Sequence, residues 1–581
     1  MEHISAGALL TGLRQHPASP AITLAQLRRA RNRPALAALV EELREDARLG
    51  EPPPPHPPWS AYRRYADDGD RETYESLYFA RRGLLNARLA TAALTGGDTE
   101  LGALADILWD VCAEYTWALP AHESHGIAAG RPMPQTVDLF AAETAHTLAE
   151  AVALLGEALP APVVEVVTDT VRRRVLAPLF DDPRPWPWED FRTNWSAVCA
   201  GAAGMAALAL PADDRWLAGA LERCLRAMDT FLAGYEADGA CTEGVDYWCY
   251  GFGYHVSFAE ALRERTAVDL LTGTPLARAI AAFPASAQLA EGAYVSFSDG
   301  SANPMVPTGL VSLLARRLGT PVPAIAAVPA NARNHAHRWA FLSRTLAWTD
   351  PDLLGTVVPA GTDWLPQSQW LIVRAPGGAA FAAKGGHNDE PHNHLDLGQF
   401  ILAAHGEQLL ADLGAGQYTG QYFGPGRYDL PHPSARWHSV PVVDGVTQRP
   451  GRDAAATATR EADALLLDLS AAYGRPVRRR FDWATVDGGF ELRLGDGFPG
   501  AARVEEVFVS RIRPACAGPG TVTWTGERGT ATLRYPIGAW EPSVESLEVV
   551  NHHNTPETIH RLVLSGTGLD EATFEFTVTP R

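Results

Sequence analysis

The sequence predicts a two-part chain, a large all-α region over residues 1–345 followed by an all-β region over residues 346–581. Three observations carry this. At 581 residues the chain is too long for one core, since domains run to about 100–200 residues each. From about Thr23 to about Leu342 the apolar residues recur at helical spacing. After about Thr349 the period shortens to two, in short segments mostly rich in Val, Thr and aromatics with Gly, Pro and Asp between them.

In chain order, the proline-rich stretch Glu51 to Trp59 cannot be helical and reads as a rigid extended connector between helices. Helices are then expected over Glu72 to Leu94, Leu139 to Leu159, Trp195 to Leu210 and Arg215 to Leu232, each with Pro, Gly or Asp near its ends. Paired helices in a toroid suit this pattern, although period alone does not separate a toroid from a bundle. Strands are expected over Trp370 to Arg374, Ala379 to Ala383, Phe400 to Ala403, Arg503 to Val509, Thr521 to Trp524, Thr530 to Tyr535 and Thr573 to Val578. Many strands with few helices predict a β-sandwich.

Composition narrows the function. Apolar content of 46% and charged content of 20% describe a soluble globular protein. A formal charge of −19 argues against nucleic-acid or anionic-membrane binding, while leaving room for an acidic substrate in a locally basic cleft. The six cysteines form no CxxC pair and read as reduced and mostly buried. The N-terminal segment has no basic stretch ahead of a long apolar run, and Val198 to Leu210 is too short to span a membrane, so a cytoplasmic protein is expected. The sequence is compatible with a homo-oligomer and does not fix the oligomeric state.

The chemistry concentrates in Lys384 to Asp412, which reads as two strands and a turn. In its HNHLD run, strand alternation would put His392, His394 and Asp396 on one face. Burying such groups unpaired costs roughly 2–7 kcal/mol each, so something must compensate them. One reading is a metal: His394, Asp412 and His438 make a His/Asp/His set of the kind zinc accepts. The other is three separately hydrogen-bonded polar residues. A hairpin turning at His405 and Gly406 leaves Asp412 nearest Gln399, so assembling the set requires a bend at Gly398.

Three further groups lie in the helical half. In Asp238 to Phe258, a helix after Gly244 would put Tyr247, Tyr250 and Tyr254 on one face, with Glu243 as a helix-start acid or a partner of the site. Aromatic packing is the plain alternative. Asn194 precedes an apolar helix, where an N-cap is the default role. His122 and His125 follow a proline at a helix end, where loop histidines are commonly just solvated.

Together these segments resemble the heparinase II/III-like family of polysaccharide lyases. The motifs are TNWSAVCAGAAGMAAL, EGVDYWCYGFGY, and HNDEPHNHLDLGQFILAAHGEQLLADLGAGQY followed by RYDLPHPSARWHSVPVVDG, with WALPAH and the FSDG of Phe297 to Gly300. The resemblance spans roughly residues 60 to 550 and implies an N-terminal incomplete (α/α) toroid followed by a C-terminal antiparallel β-sandwich. It also implies β-elimination across the 4-O-glycosidic bond of a uronic acid, on an anionic oligosaccharide or polysaccharide. By the same resemblance Asn194 matches the residue that binds the carboxylate, Tyr247 the catalytic tyrosine and His392 the histidine facing the substrate. His394, Asp412 and His438 match a structural zinc set, one ion per chain.

His122, Trp195, Glu243, Tyr250, Arg427 and Arg436 are the candidate substrate contacts. Trp117, Trp195 and Trp248 could stack sugar rings, and Tyr250 stands as an alternative to Tyr247. Of Arg478, Arg479 and Arg480, at most one is expected to point inward. Several relatives carry a histidine directly after the asparagine, where this chain has Trp195. The base is therefore open between Tyr247 alone and Tyr247 sharing the work with His392 or His122. The lack of an export signal favours exolytic cutting of oligosaccharides. A glycoside hydrolase using a pair from Asp238, Glu243 and Asp246 is the rival enzyme, and a non-catalytic carbohydrate-binding protein is the third reading.

Overall fold

A computed structural model describes residues 4–16, 20–50 and 52–581. The first residue of the proline-rich connector and parts of the N-terminal segment lie outside the described residues. From Pro53 to Pro58 the connector has neither helix nor strand, and a helix starts at Trp59. No helix among the described residues is long and apolar enough to cross a membrane.

The expected helices form, as Glu72–Thr95, Leu139–Leu155, Asn194–Ala209 and Asp214–Leu232. The inner and outer layers differ as their sequences require. Asp214–Leu232 is amphipathic and buries one stripe, Leu217, Leu221, Cys224, Met228 and Phe231. Asn194–Ala209 and Val245–Thr266 are buried on nearly every side. Small residues let them touch: a side chain at Gly204 would strike the Phe258 ring, and one at Gly201 would lie 3.2 Å from the Tyr254 carbonyl. Ala6–Gln15 and the short hairpin Gln288–Ala290 with Ala293–Tyr294 are elements that periodicity did not predict.

The last helix of the first half ends at Trp348, and the strands of the second half start at Gly361. A five-stranded antiparallel sheet, Gly361–Leu365 to Glu407–Leu410, faces an eight-stranded one built around Arg478–Val486, Gly489–Gly497 and Glu571–Pro580. Their inner faces meet at Phe381 on Phe481 (5.4 Å between ring centres) and Phe400 on Phe576 (5.6 Å). A four-stranded sheet containing Arg503–Ser510 adds Phe508 to this core. Arg479 points inward onto Asp496 (2.6 Å) and Glu506 (3.2 Å), whereas Arg478 and Arg480 pair outward with Asp468, Glu461 and Asp482. Helical toroid followed by antiparallel β-sandwich is thus the architecture. All six cysteines are free, and all but Cys516 are buried.

The two halves are joined closely. Asp238 accepts from the Gln367 and Ser368 amides (both 2.9 Å), Phe297 packs on Trp370 (5.1 Å), and the Ser296 hydroxyl donates to the Asp412 carbonyl (3.0 Å). The groups with chemistry gather along this seam.

Candidate active site

The segment carrying His392 and His394 is not a strand. Only His387–Asn388 pairs, and the chain then turns, with His392 in the left-handed region at φ +55°. Strand alternation therefore fails, and the three polar residues separate. His392 faces the helical half, His394 faces inward, and Asp396 is bound by Lys384 at 2.8 Å in the core. The bend at Gly398 is present, at φ +88°. After it Phe400–Ala404 and Glu407–Leu410 form a hairpin whose turn residues His405 and Gly406 both have positive φ, the two-residue turn that suits strand twist.

Tyr247 comes from the other half, in the first turn of the helix Val245–Thr266. It is half-buried, its ring lies 4.5 Å from that of His392, and its hydroxyl is hydrogen-bonded to that of Tyr418. Glu243, just before this helix, brings its carboxyl oxygen to 3.5 Å from Nε2 of His392. Gly244 between them has φ +107°, which only glycine adopts readily.

Beneath this group lies Asp299, buried, on the turn after Phe297. Its carboxylate accepts from Nδ1 of His392 (2.6 Å), Nε2 of His394 (2.9 Å), and the hydroxyls of Tyr418 (2.8 Å) and Tyr422 (2.6 Å). Arg427 stands 3.4 Å away, over the Tyr422 ring.

The electrostatics follow from these contacts. Asp299 stays well below the usual carboxylate range: burial opposes ionisation, and the His392 and His394 hydrogen bonds with the Arg427 charge outweigh it. Burial alone would lower His392, but the bond to Asp299 and the nearby carboxylates raise it. Burial, with the charges of Asp299 and Glu390, lifts Glu243 to about 7. Burial and then the Asp299 charge hold the Tyr247 phenol well above its ordinary range, so it is a neutral proton donor.

Asn194 is the first helical residue and Thr193 the N-cap, so the capping explanation for Asn194 does not hold. Its buried Oδ1 has no hydrogen-bond partner among the described residues. Gly251, one turn after Tyr247, admits it: a side chain at Gly251 would lie 3.2 Å from the Asn194 Cα. Trp195 is half-buried and meets the rings of His122 (4.8 Å) and His125 (4.3 Å). His122 is fixed by the Asp138 carboxylate (2.8 Å), which also caps the helix Leu139–Leu155.

Other candidates lie apart. Tyr250 is buried under the Arg338 guanidinium (3.8 Å) beside Glu143, away from His392. Arg436 is exposed and donates to the Gly445 carbonyl. Arg427 serves the Asp299 cluster, donating also to the carbonyls of Asn393 and Tyr422. Trp117 and Trp248 are fully buried with their indole N–H groups bound to the carbonyls of Val111 and Ile280, which rules out stacking on a ligand. Asp238 is bound to backbone amides, and so is Asp246 through Ser301, which leaves Glu243 alone of the three carboxylates at His392.

His394, Asp412 and His438 converge, fully buried, with one ligand atom each inside 4.8 Å. Their hydrogen bonds fix what faces the centre. Nε2 of His394 donates to Asp299, and Nδ1 of His438 donates to the Ser434 carbonyl (2.9 Å). The remaining nitrogens, 3.3 Å apart, therefore present lone pairs to each other and to Asp412 Oδ2, which has no hydrogen-bond partner among the described residues. Three acceptors without a donor fit a cation. Burial lowers His394 to about 4, so protonation of its imidazole is opposed.

Asp299, Tyr418 and Tyr422 were not assigned roles from the sequence. Asp299 is the acid of the FSDG motif and Tyr418 ends the GAGQY run, so both stood inside recognisable motifs.

No family model and no curated protein sequence matches the chain. Solved structures do. Heparinase III matches over 89% of this chain and 78% of its own at 12% identity, with a TM-score of 0.57. Heparan sulfate lyase from Pedobacter heparinus matches over 90% and 78% at 13% identity, with a TM-score of 0.56. A further heparinase III gene product matches over 92% and 84% at 13% identity, with a TM-score of 0.54. At such identity these likenesses establish a shared fold.

Proposed function

We propose that this protein is a polysaccharide lyase that cleaves 4-O-glycosidic bonds to uronic acids by β-elimination. The observation that carries the reading is the meeting of Tyr247 from the helical half with His392 from the β half, rings 4.5 Å apart, in a fold shared with heparinase III and heparan sulfate lyase.

Elimination needs a group to hold the uronate carboxyl, a base for the C5 proton and an acid for the departing O4. The Asn194 amide holds the carboxyl by donating its Nδ2–H to a carboxylate oxygen. Nε2 of His392 takes the proton, because Nδ1–H is committed to Asp299. As the C5–H bond breaks, the C4–C5 double bond forms, the C4–O4 bond breaks, and O4 takes the phenol proton of Tyr247. This is the shared version of the two mechanisms left open by the sequence. The neutral phenol favours it, because Asp299 and Glu243 oppose the phenolate that a tyrosine base would require. Trp195 and His122 are substrate contacts on the Asn194 side.

The cation at His394, Asp412 and His438 is zinc in this reading, one per chain, holding the β half against the cleft. It supplies structure, and no proton or bond of the elimination passes through it. The substrate is an acidic oligosaccharide cut exolytically; a rapid viscosity drop on long polymers would contradict that mode. Tyr247→Phe, with an unchanged melting temperature, should reduce turnover to near zero. Substantial remaining turnover would reject the role of Tyr247.

A further inference from the structure

We propose that Asp299 is the positioning residue of this site, setting through one carboxylate both the tautomer of His392 and the lone pair that His394 turns toward the cation pocket. The proposal rests on the reading of His392 as the base. Each oxygen of Asp299 serves one imidazole: Oδ2 accepts from Nδ1 of His392 (2.6 Å) and Oδ1 from Nε2 of His394 (2.9 Å). A carboxylate can only accept here, so both nitrogens must carry protons. The lone pair of His392 is thereby left on Nε2, toward Glu243 and the cleft, and that of His394 on Nδ1, toward His438. The two hydroxyls and Arg427 occupy the remaining approaches, so the carboxylate cannot rotate away without losing several partners.

Two independent features of the backbone point the same way. Ser298 and His392, next to and at the ends of the hydrogen bond, both hold left-handed φ, +58° and +55°, which residues other than glycine seldom adopt. The turn carrying Asp299 is also wedged between the two functional segments. A side chain at Gly244 would lie 2.6 Å from the Gly300 Cα, and one at Gly414 would strike the Gly300 carbonyl. Gly244 leads into the helix of Tyr247, and Gly414 follows Asp412. One turn thus meets the tyrosine, the histidine and the cation pocket.

The test uses the full-length protein with nitrogen-15 histidine, His392 being assigned from the signal lost in His392→Gln. Wild type should show His392 protonated on Nδ1, and Asp299→Asn should move that proton to Nε2 or leave a mixture. The same variant should lose about 100-fold or more in kcat, with KM changed by less than about threefold. Its affinity for zinc, measured against a chromophoric chelator, should fall about 10- to 100-fold. A neutral His392 ring carrying its proton on Nε2 in wild type would overturn the proposal even if the variant failed to fold. So would an unchanged tautomer, kcat and zinc affinity in a folded Asp299→Asn. If wild type forms no alkene from any uronate, the lyase reading fails separately, and the tautomer and zinc affinity still decide the role of Asp299.

Discussion

Replacing Glu243 by glutamine should stabilise the protein at alkaline pH and not at acid pH. The carboxyl is buried, its Oε2 has no hydrogen-bond partner, and Nε2 of His392 lies 3.5 Å from it. Burial first, then the charges of Asp299 and Glu390, raise it from 4.5 to about 7. The native state therefore holds a proton that the unfolded chain has released between these two values. Stability attributable to this group is intact below about pH 4.5 and falls as pH rises to about 7. At 1.36 kcal/mol per decade, the loss is about 3 kcal/mol. The Glu243→Gln variant, with a neutral amide in place of the carboxyl, would carry no such slope. Urea unfolding followed by helical circular dichroism, which reports the half containing Glu243, should show the variant's advantage over wild type growing by about 3 kcal/mol between about pH 4 and about pH 8.5. A pH-independent difference between the two proteins would refute the claim that Glu243 is buried without compensation.

Other expectations concern the core and the cation. Elemental analysis of purified protein should show close to one zinc per chain, and His394→Ala should lose it together with several degrees of melting temperature; metal-free native protein would remove the assignment. Arg479→Ala should destabilise the β-sandwich by about 3–5 kcal/mol, since Asp496 and Glu506 would remain buried without their cation. A change below about 1 kcal/mol in urea unfolding would show that the cluster is solvated.

The architecture was legible because each half keeps its period. Glu72 to Leu94 and Arg215 to Leu232 appear as helices within a residue or two, and Trp370 to Arg374 appears as the strand expected. The site was legible only where a motif was contiguous. Tyr247 and Glu243 share one segment, and so do His392 and His394, but alternation misread the latter because a left-handed residue at His392 breaks any strand. Asp299 lies 93 residues before His392, on a short turn with no periodicity to place it. Trp117 and Trp248 could not be told from cleft residues, since aromatic composition is the same in a core and on a sugar platform. Asn194 looked like a cap because the helix start is sharp. The N-cap position falls to Thr193, one residue earlier and without a side-chain capping bond, a shift that propensity does not resolve.

The most direct measurement is ultraviolet absorbance with product mass spectrometry while the protein is offered a panel of uronate oligosaccharides. The account predicts a rising conjugated-alkene signal and products whose summed mass equals that of the substrate. Cleavage with one water added and no alkene would contradict it and make the protein a hydrolase.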